Sequence, residues 1–300
     1  MSQSSLIASL EPHMAASEDK TPKKLAKKMI KKLIKAAYLL IDDNNNISLP
    51  STSSSSSSPP AKRTKLSTPS SPSSSSLPDV KYILAPMVGA SELPFRLLCR
   101  SHGATIAYTP MISSARFAVD AEYRKESFET TPADRPLVAH FSANDPAEFA
   151  ASAAIVAPQC DAIDLNLGCP QRVAYIGHYG SYLLDPVDRP LVLSLVRAAV
   201  AAVTIPVFVK IRLLNTLPET IALVGELKDA GASLVAIHGR YRASFERTGA
   251  GARDGAAMLD QIATVKARFP DFPIITNGNI ITHDDVSEAL KRASLRQYTI

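Results

Sequence analysis

From Lys81 onward the chain alternates short apolar runs with longer amphipathic stretches, and this alternation limits its fold more than any other feature. The runs are "YILAPM", "TIAYTP", "PLVAHFSA", "DAIDLNL", "PVFVKIR", "SLVAIHG" and "PIITNG". Between them, helical periodicity predicts segments at 92–101, 146–157, 188–202, 217–230, 255–268 and 284–293. Continuous apolar strands alternating with helices indicate a parallel sheet covered by helices. A doubly wound sheet and a closed (β/α)8 barrel both satisfy that pattern. The strand ends favour the barrel, because each run finishes in residues able to do chemistry or approach a ligand: Pro86-Met87, Asn166, Cys169, Lys210, Arg212, His238 and Asn277. In barrels the C-terminal strand ends form the active site. Only seven such strands are found, and "RASLRQYTI" stands where an eighth would begin. The expected fold is therefore a TIM-type (β/α)8 barrel over residues 80–300, C-terminally truncated and lacking its eighth strand.

Residues 1–79 have a different texture. "TPKKLAKKMIKKLIKAAYLL" places Leu25, Met29 and Leu33 on one stripe with Ile30 and Ile34 beside it, and lysines cover the remainder. This predicts a basic amphipathic helix at about 20–41, of the kind that contacts RNA or a membrane surface, serves as a targeting segment, or simply stays solvated. "STSSSSSSPP" and "STPSSPSSSSLP" follow, too polar and too rich in serine and proline to build a core. The basic cluster "AKRTKL" between them has the composition of a nuclear-import signal. The expectation is a disordered basic and serine-rich tail.

The formal charge of +5 belongs to that tail. Residues 1–80 hold 11 Lys+Arg against 6 Asp+Glu, whereas residues 81–300 hold 22 of each. A neutral body can still bind nucleic acid through local clusters. Cys99, Cys160 and Cys169 are an odd, widely spaced set that fits neither a disulfide framework nor a zinc site, and points to a reducing compartment, cytoplasmic or nuclear. No apolar run reaches the ~18 residues of a membrane span, so no membrane association is expected.

Cys169, Lys210 and His238 end the fourth, fifth and sixth predicted strands and so face one mouth. Each alone has an ordinary reading: a small buried thiol, a paired lysine, a satisfied core histidine. Together, without metal-ligand spacing or a Ser-His-Asp arrangement, they suit a flavin. Lysine charge stabilises an anionic reduced ring, histidine bonds its carbonyl edge, and a protonated cysteine opposite it serves as general acid. No GxGxxG follows a first strand, which argues against a dinucleotide fold. A Schiff-base aldolase built on Lys210 is a further alternative.

"APMVGASELPFRLLCRSHGA…AYTPM", "NLGCP", "GHYGSYLL", "VKIR", "HGR" and "NGNI" occur in this order and together resemble the tRNA-dihydrouridine synthase family over about residues 80–290. The "GCPQ…GHYG" form is similar to its eukaryotic branch acting on D-loop positions 16 and 17 of tRNA. The resemblance implies FMN as cofactor, NADPH as electron donor, tRNA as substrate and partner, and a monomer. It makes Cys169 the acid that protonates C5 of uracil while reduced FMN delivers hydride to C6. It puts Asn166, Arg172 and Tyr179 on the substrate, and Pro86, Met87, His140, Lys210, His238, Asn277 and Gly278 on the flavin. Gly177 and Gly180 would let the loop backbone approach a flipped-out nucleotide. A tRNA-binding protein without FMN, or an FMN barrel reducing a free pyrimidine, are the rival readings.

Four departures from the family pattern stand out. His140 replaces the usual glutamine at the end of strand three, and Tyr175-Ile176 replace a basic pair after "CPQ". "RTGAGARDGAAM" follows "HGR" in place of the usual Tyr- and Trp-containing run. The eighth strand, with its phosphate-binding loop, and the C-terminal helical tRNA-binding domain are missing. The expectation from that last departure is weak FMN binding and a tendency to aggregate.

Overall fold

The computed structural model describes residues 82–241 and 255–292; the predicted helix at 20–41 and the serine-rich tail lie outside them. The fold is a parallel α/β sheet. Its strands are β1 (Ile83–Leu84), β2 (Ile106–Tyr108), β3 (Ile112–Ser113), β4 (Leu137–Ser142), β5 (Ala162–Leu167), β6 (Val207–Leu213), β7 (Leu234–Tyr241) and β8 (Ile274–Asn277). Seven of them pair in the order β1-β2-β4-β5-β6-β7-β8, all parallel, and β3 pairs with the end of β4. These seven are the seven apolar runs. Sequential order with a helix in each main crossover is what short right-handed β-α-β connections produce. Among the described residues, β1 and β8 are the outer strands.

The crossover helices fall close to their predicted spans: α1 (Leu93–Ser101), then α4 (Pro146–Val156), α6 (Arg189–Ala202), α7 (Leu217–Asp229), α8 (Leu259–Arg268) and α9 (His283–Arg292), with short α2 (Ser114–Val119), α3 (Ala121–Ser127) and α5 (Arg172–Ile176) between them. Local chemistry starts them. Asp145 accepts from the backbone N–H groups of Ala147 (2.8 Å) and Glu148 (2.9 Å) ahead of Pro146. Thr216 and Glu219 form a reciprocal capping box around Pro218. No described helix is long and apolar enough to cross a membrane.

Two apolar layers result. The larger lies between strands and helices, with Phe141, Phe149, Leu195, Val209, Leu223, Ile237 and Ile262 among its fully or almost fully buried members. The smaller lies on the inner side of the sheet: Ile83, Ile106, Tyr108, Val138, Ala162, Phe208, Leu234, Ala236 and Ile275. Strand register explains why the inner layer ends where it does. Stepping two residues along each strand keeps to one face, so Val138 leads to His140, Ala162 to Asp164 and Asn166, Phe208 to Lys210 and Arg212, Ala236 to His238, and Ile275 to Asn277. The inner face is apolar at the N-terminal strand ends and polar at the C-terminal ends.

Outside the sheet, a buried ion cluster fastens α1. Arg96 Nε donates to Asp134 Oδ2 at 2.9 Å, and Arg100 Nε donates to Asp134 Oδ1 at 3.0 Å. Arg96 also donates to the carbonyls of Ser91 and Glu129, both at 2.7 Å.

Candidate active site

The polar strand ends enclose a cavity of about 330 Å³, lined from the loop after β1 by Pro86, Met87 and Val88, from the loop after β2 by Met111, from β4 by His140, from β5 and its turn by Asn166, Gly168, Cys169 and Gln171, and from β6 to β8 by Lys210, Arg212, His238 and Asn277. Nine residues singled out from the sequence thus meet in one place: Pro86, Met87, His140, Asn166, Cys169, Lys210, Arg212, His238 and Asn277.

Cys169 sits in a turn held from both sides. Asn166 Oδ1 accepts from the backbone N–H of Gly168 (2.9 Å) and of Cys169 (3.0 Å), and Asn166 Nδ2 donates to the Met111 sulfur at 2.9 Å. On the far side, the Cys169 carbonyl accepts from Ser181 N (3.1 Å) and Ser181 Oγ (2.9 Å), and Tyr182 donates its hydroxyl proton to the Pro170 carbonyl at 2.8 Å. Gly180 has φ +68°, and a Cβ there would lie 2.9 Å from the Cys169 carbonyl oxygen. Gly180 therefore seats the loop against the cysteine turn, a close contact made within the protein itself. Asn166 is built into the same clamp. Burial pushes the Cys169 thiol up, outweighing Gln171 N–H, Arg212 and Lys210, which draw it down. The sulfur is held as a thiol, a proton donor more than a nucleophile.

Two cationic side chains, Lys210 and Arg212, line the cavity, and a third, Arg240, bonds its His238. Lys210 Nζ donates to Asn277 Oδ1 at 3.1 Å, and burial, with Arg212 beside it, brings the ammonium down to about 8. Arg212 reaches Gly168 O (2.9 Å) and Tyr241 O (3.0 Å), tying β6 to both neighbouring strands. Arg240 Nη1 donates to His238 Nε2 at 2.8 Å, while its other nitrogens hold Gly255 O and Asn279 Oδ1. A guanidinium has no acceptor, so His238 Nε2 carries the lone pair and the ring proton is on Nδ1. Burial, followed by Lys210, Arg212 and Arg240, holds this imidazole neutral, well below its usual range.

Three predicted site residues stand outside the lining. Arg172 opens α5 and is exposed. Tyr179 lines a neighbouring cavity of about 410 Å³ that shares Met111 with the first, along with Tyr123, Ser142 and Asn144. Gly278, at φ +119°, packs against His238, and a Cβ there would come within 2.8 Å of Ala257 Cβ. The sequence reading did not single out Val88, Met111, Gly168 and Gln171, which lie within the quoted motifs and carry no distinctive chemistry of their own. Asp164, whose Oδ2 lies 2.6 Å from His140 Nδ1, carried one signal: a carboxylate in the middle of an apolar run.

Fold and cavity define a parallel α/β protein whose strand ends gather a protonated thiol, two imidazoles and three cations. The chain belongs to the dihydrouridine synthase (Dus) family, whose model matches residues 83–296. It is 40% identical over 218 residues to a Mus musculus tRNA-dihydrouridine(16/17) synthase-like protein, covering 72% of this chain and 44% of that one. It is 38% identical over 213 residues to the tRNA-dihydrouridine(16/17) synthase of Saccharomyces cerevisiae, covering 70% and 49%. A Homo sapiens tRNA-dihydrouridine(20a/20b) synthase-like protein is 35% identical over 201 residues, covering 66% and 60%. All three names carry NAD(P)+. The chain spans about half the length of the first two relatives. Among solved structures, a 2-naphthoyl-CoA reductase aligns with a TM-score of 0.54 at 9% identity, covering 73% of this chain and 47% of that one, a likeness of fold alone.

Proposed function

We propose that the protein reduces uridine to 5,6-dihydrouridine in tRNA, at D-loop positions 16 and 17, with electrons from NADPH passing through FMN. The observation that carries this reading is the clamped Cys169 turn, which opens a protonated thiol onto a cavity bearing Lys210, Arg212 and neutral His238. The sheet is read as part of a TIM-type (β/α)8 barrel, preceded over 1–79 by a low-complexity tail; the seven sequential parallel strands among the described residues support the barrel.

The lining suits a flavin. It contains cations and no carboxylate, so a ring that becomes anionic on reduction meets complementary charge. Lys210 with Asn277, His238 and the backbone at Pro86-Met87 would hold it, and Gly278 lets the β8 end come close behind His238. When bound and reduced, FMN supplies the hydride at C6 of uracil. Cys169 gives its thiol proton to C5 and is left as a thiolate beside Arg212 and Lys210. Asn166 fixes where that sulfur points. A stacked uridine reaches the cavity only by leaving its helix, which costs a few kcal/mol. Arg172, at the start of α5, and Tyr179, just beyond its end, follow Cys169 in the chain and are read as contacts to the arriving RNA. We read the protein as a monomer of a reducing compartment, cytoplasmic or nuclear, a setting in which thiols such as its three stay unpaired.

The test is to purify the full chain, record flavin absorbance, and assay reduction of tRNA, free uracil and orotate side by side. With FMN supplied in excess, to offset the weak binding expected from the sequence, yellow protein that reduces tRNA alone is the predicted result. Colourless protein that binds tRNA, or reduction of a free pyrimidine, would replace this reading.

A further inference from the structure

Asp164 stands on β5, two residues before Asn166, and is completely buried. Its Oδ2 lies 2.6 Å from Nδ1 of His140, and the two side chains are 0% and 3% exposed. Asp164 Oδ1 has no hydrogen-bond partner among the described residues, and neither does the hydroxyl of Tyr108, whose ring meets that of His140 edge-on at 6.0 Å between centroids. The charged and titratable groups acting on the pair are Tyr108 from β2 and Lys210 from β6. The backbone N–H of His140 is taken by Thr109 Oγ1 at 3.0 Å. The other edge of the imidazole, with Nε2, makes no hydrogen bond among the described residues, and His140 lines the cavity.

A contact of 2.6 Å between a ring nitrogen and a carboxyl oxygen requires a proton between them. A buried carboxylate is normally surrounded by donors, and Asp164 has one. Burial pushes its carboxyl up, against the pull of His140 and Lys210. A pair without net charge is the lower-energy state in such a setting. Whichever atom then holds the shared proton, the second proton of the pair is on Nε2. We propose that Asp164 is a positioning residue that keeps Nε2 of His140 protonated, so that His140 presents the cavity with a fixed N–H donor for a carbonyl oxygen of the flavin ring. The identity of that carbonyl rests on the flavin reading above; the position of the proton does not.

Long-range 1H–15N spectra of the flavin-free full chain, labelled at histidine and assigned with His140→Gln, read the proton directly. A protonated, pyrrole-type Nε2 at neutral pH is expected, and a pyridine-type Nε2 would overturn the proposal. Asp164→Leu removes the partner at similar volume, and the His140 signals should then average between tautomers. An unchanged spectrum in a folded variant would remove Asp164 from the role, and should that variant not fold, the wild-type spectrum still decides. In FMN titrations His140→Leu should bind about tenfold more weakly, while His140→Gln, which keeps an N–H donor, should stay within about threefold of wild type. Equal affinity in all three proteins would overturn the donor role. Failure of every form to bind FMN would overturn the flavin reading instead and leave the spectrum to decide the proton.

Discussion

At the scale of single residues, the site gains its chemistry from groups whose proton affinities are shifted by where the strands put them. Lys210 shows how this can be measured. Its folded value of about 8 lies below the ordinary lysine value, so the ammonium is present below that pH and lost above it. If its charge helps hold the flavin, FMN affinity should fall as pH rises through about 8, and Lys210→Met should flatten that dependence while weakening binding throughout. A pH profile identical in both proteins would return Lys210 to a structural role. The sequence pointed to Lys210, His238 and Cys169 because each ends an apolar run, where burial and function conflict. It could not reveal that Arg240 fixes the tautomer of His238 or that Asp164 pairs with His140, because both contacts depend on strand register and side-chain direction.

At the scale of elements, long periodic segments were legible and short ones were not. The seven strands and the six helices between and after them follow from the alternation, whereas β3, α2, α3 and α5 are two to seven residues long, too short for a period to repeat. The role of "GHYG" was legible only in part: flexible backbone was foreseen, but Gly180 uses it to lie against the Cys169 turn. The Arg96–Asp134–Arg100 cluster joins α1 to the loop before β4 and is nearly sealed from water. Removing the carboxylate strands two guanidinium groups, so Asp134→Ala should destabilise the fold by about 3–5 kcal/mol. Urea unfolding should show a lower midpoint at unchanged slope; a midpoint within error of wild type would show that the cluster contributes nothing.

At the scale of the whole molecule, charge is divided between a neutral body and a basic N-terminal stretch, and the cavity brings Lys210 and Arg212 together within the body. If the lysines between 20 and 35 add phosphate contacts, deleting residues 1–78 should weaken tRNA binding and reduce the slope of log affinity against log salt. An unchanged slope would leave that stretch with another task. The layered inner face, apolar below and polar above, is what turns a parallel sheet into a reaction vessel, and Cys169 is the one group in it for which the proposed chemistry has no substitute. The most direct measurement is therefore dihydrouridine formation in tRNA by wild-type protein and by Cys169→Ala, with FMN and NADPH supplied and flavin content recorded for both. The Cys169→Ala protein should keep its flavin and its NADPH oxidation while dihydrouridine formation falls by about 10²–10⁴. Wild-type rates of tRNA reduction without this thiol would contradict its role as the proton donor.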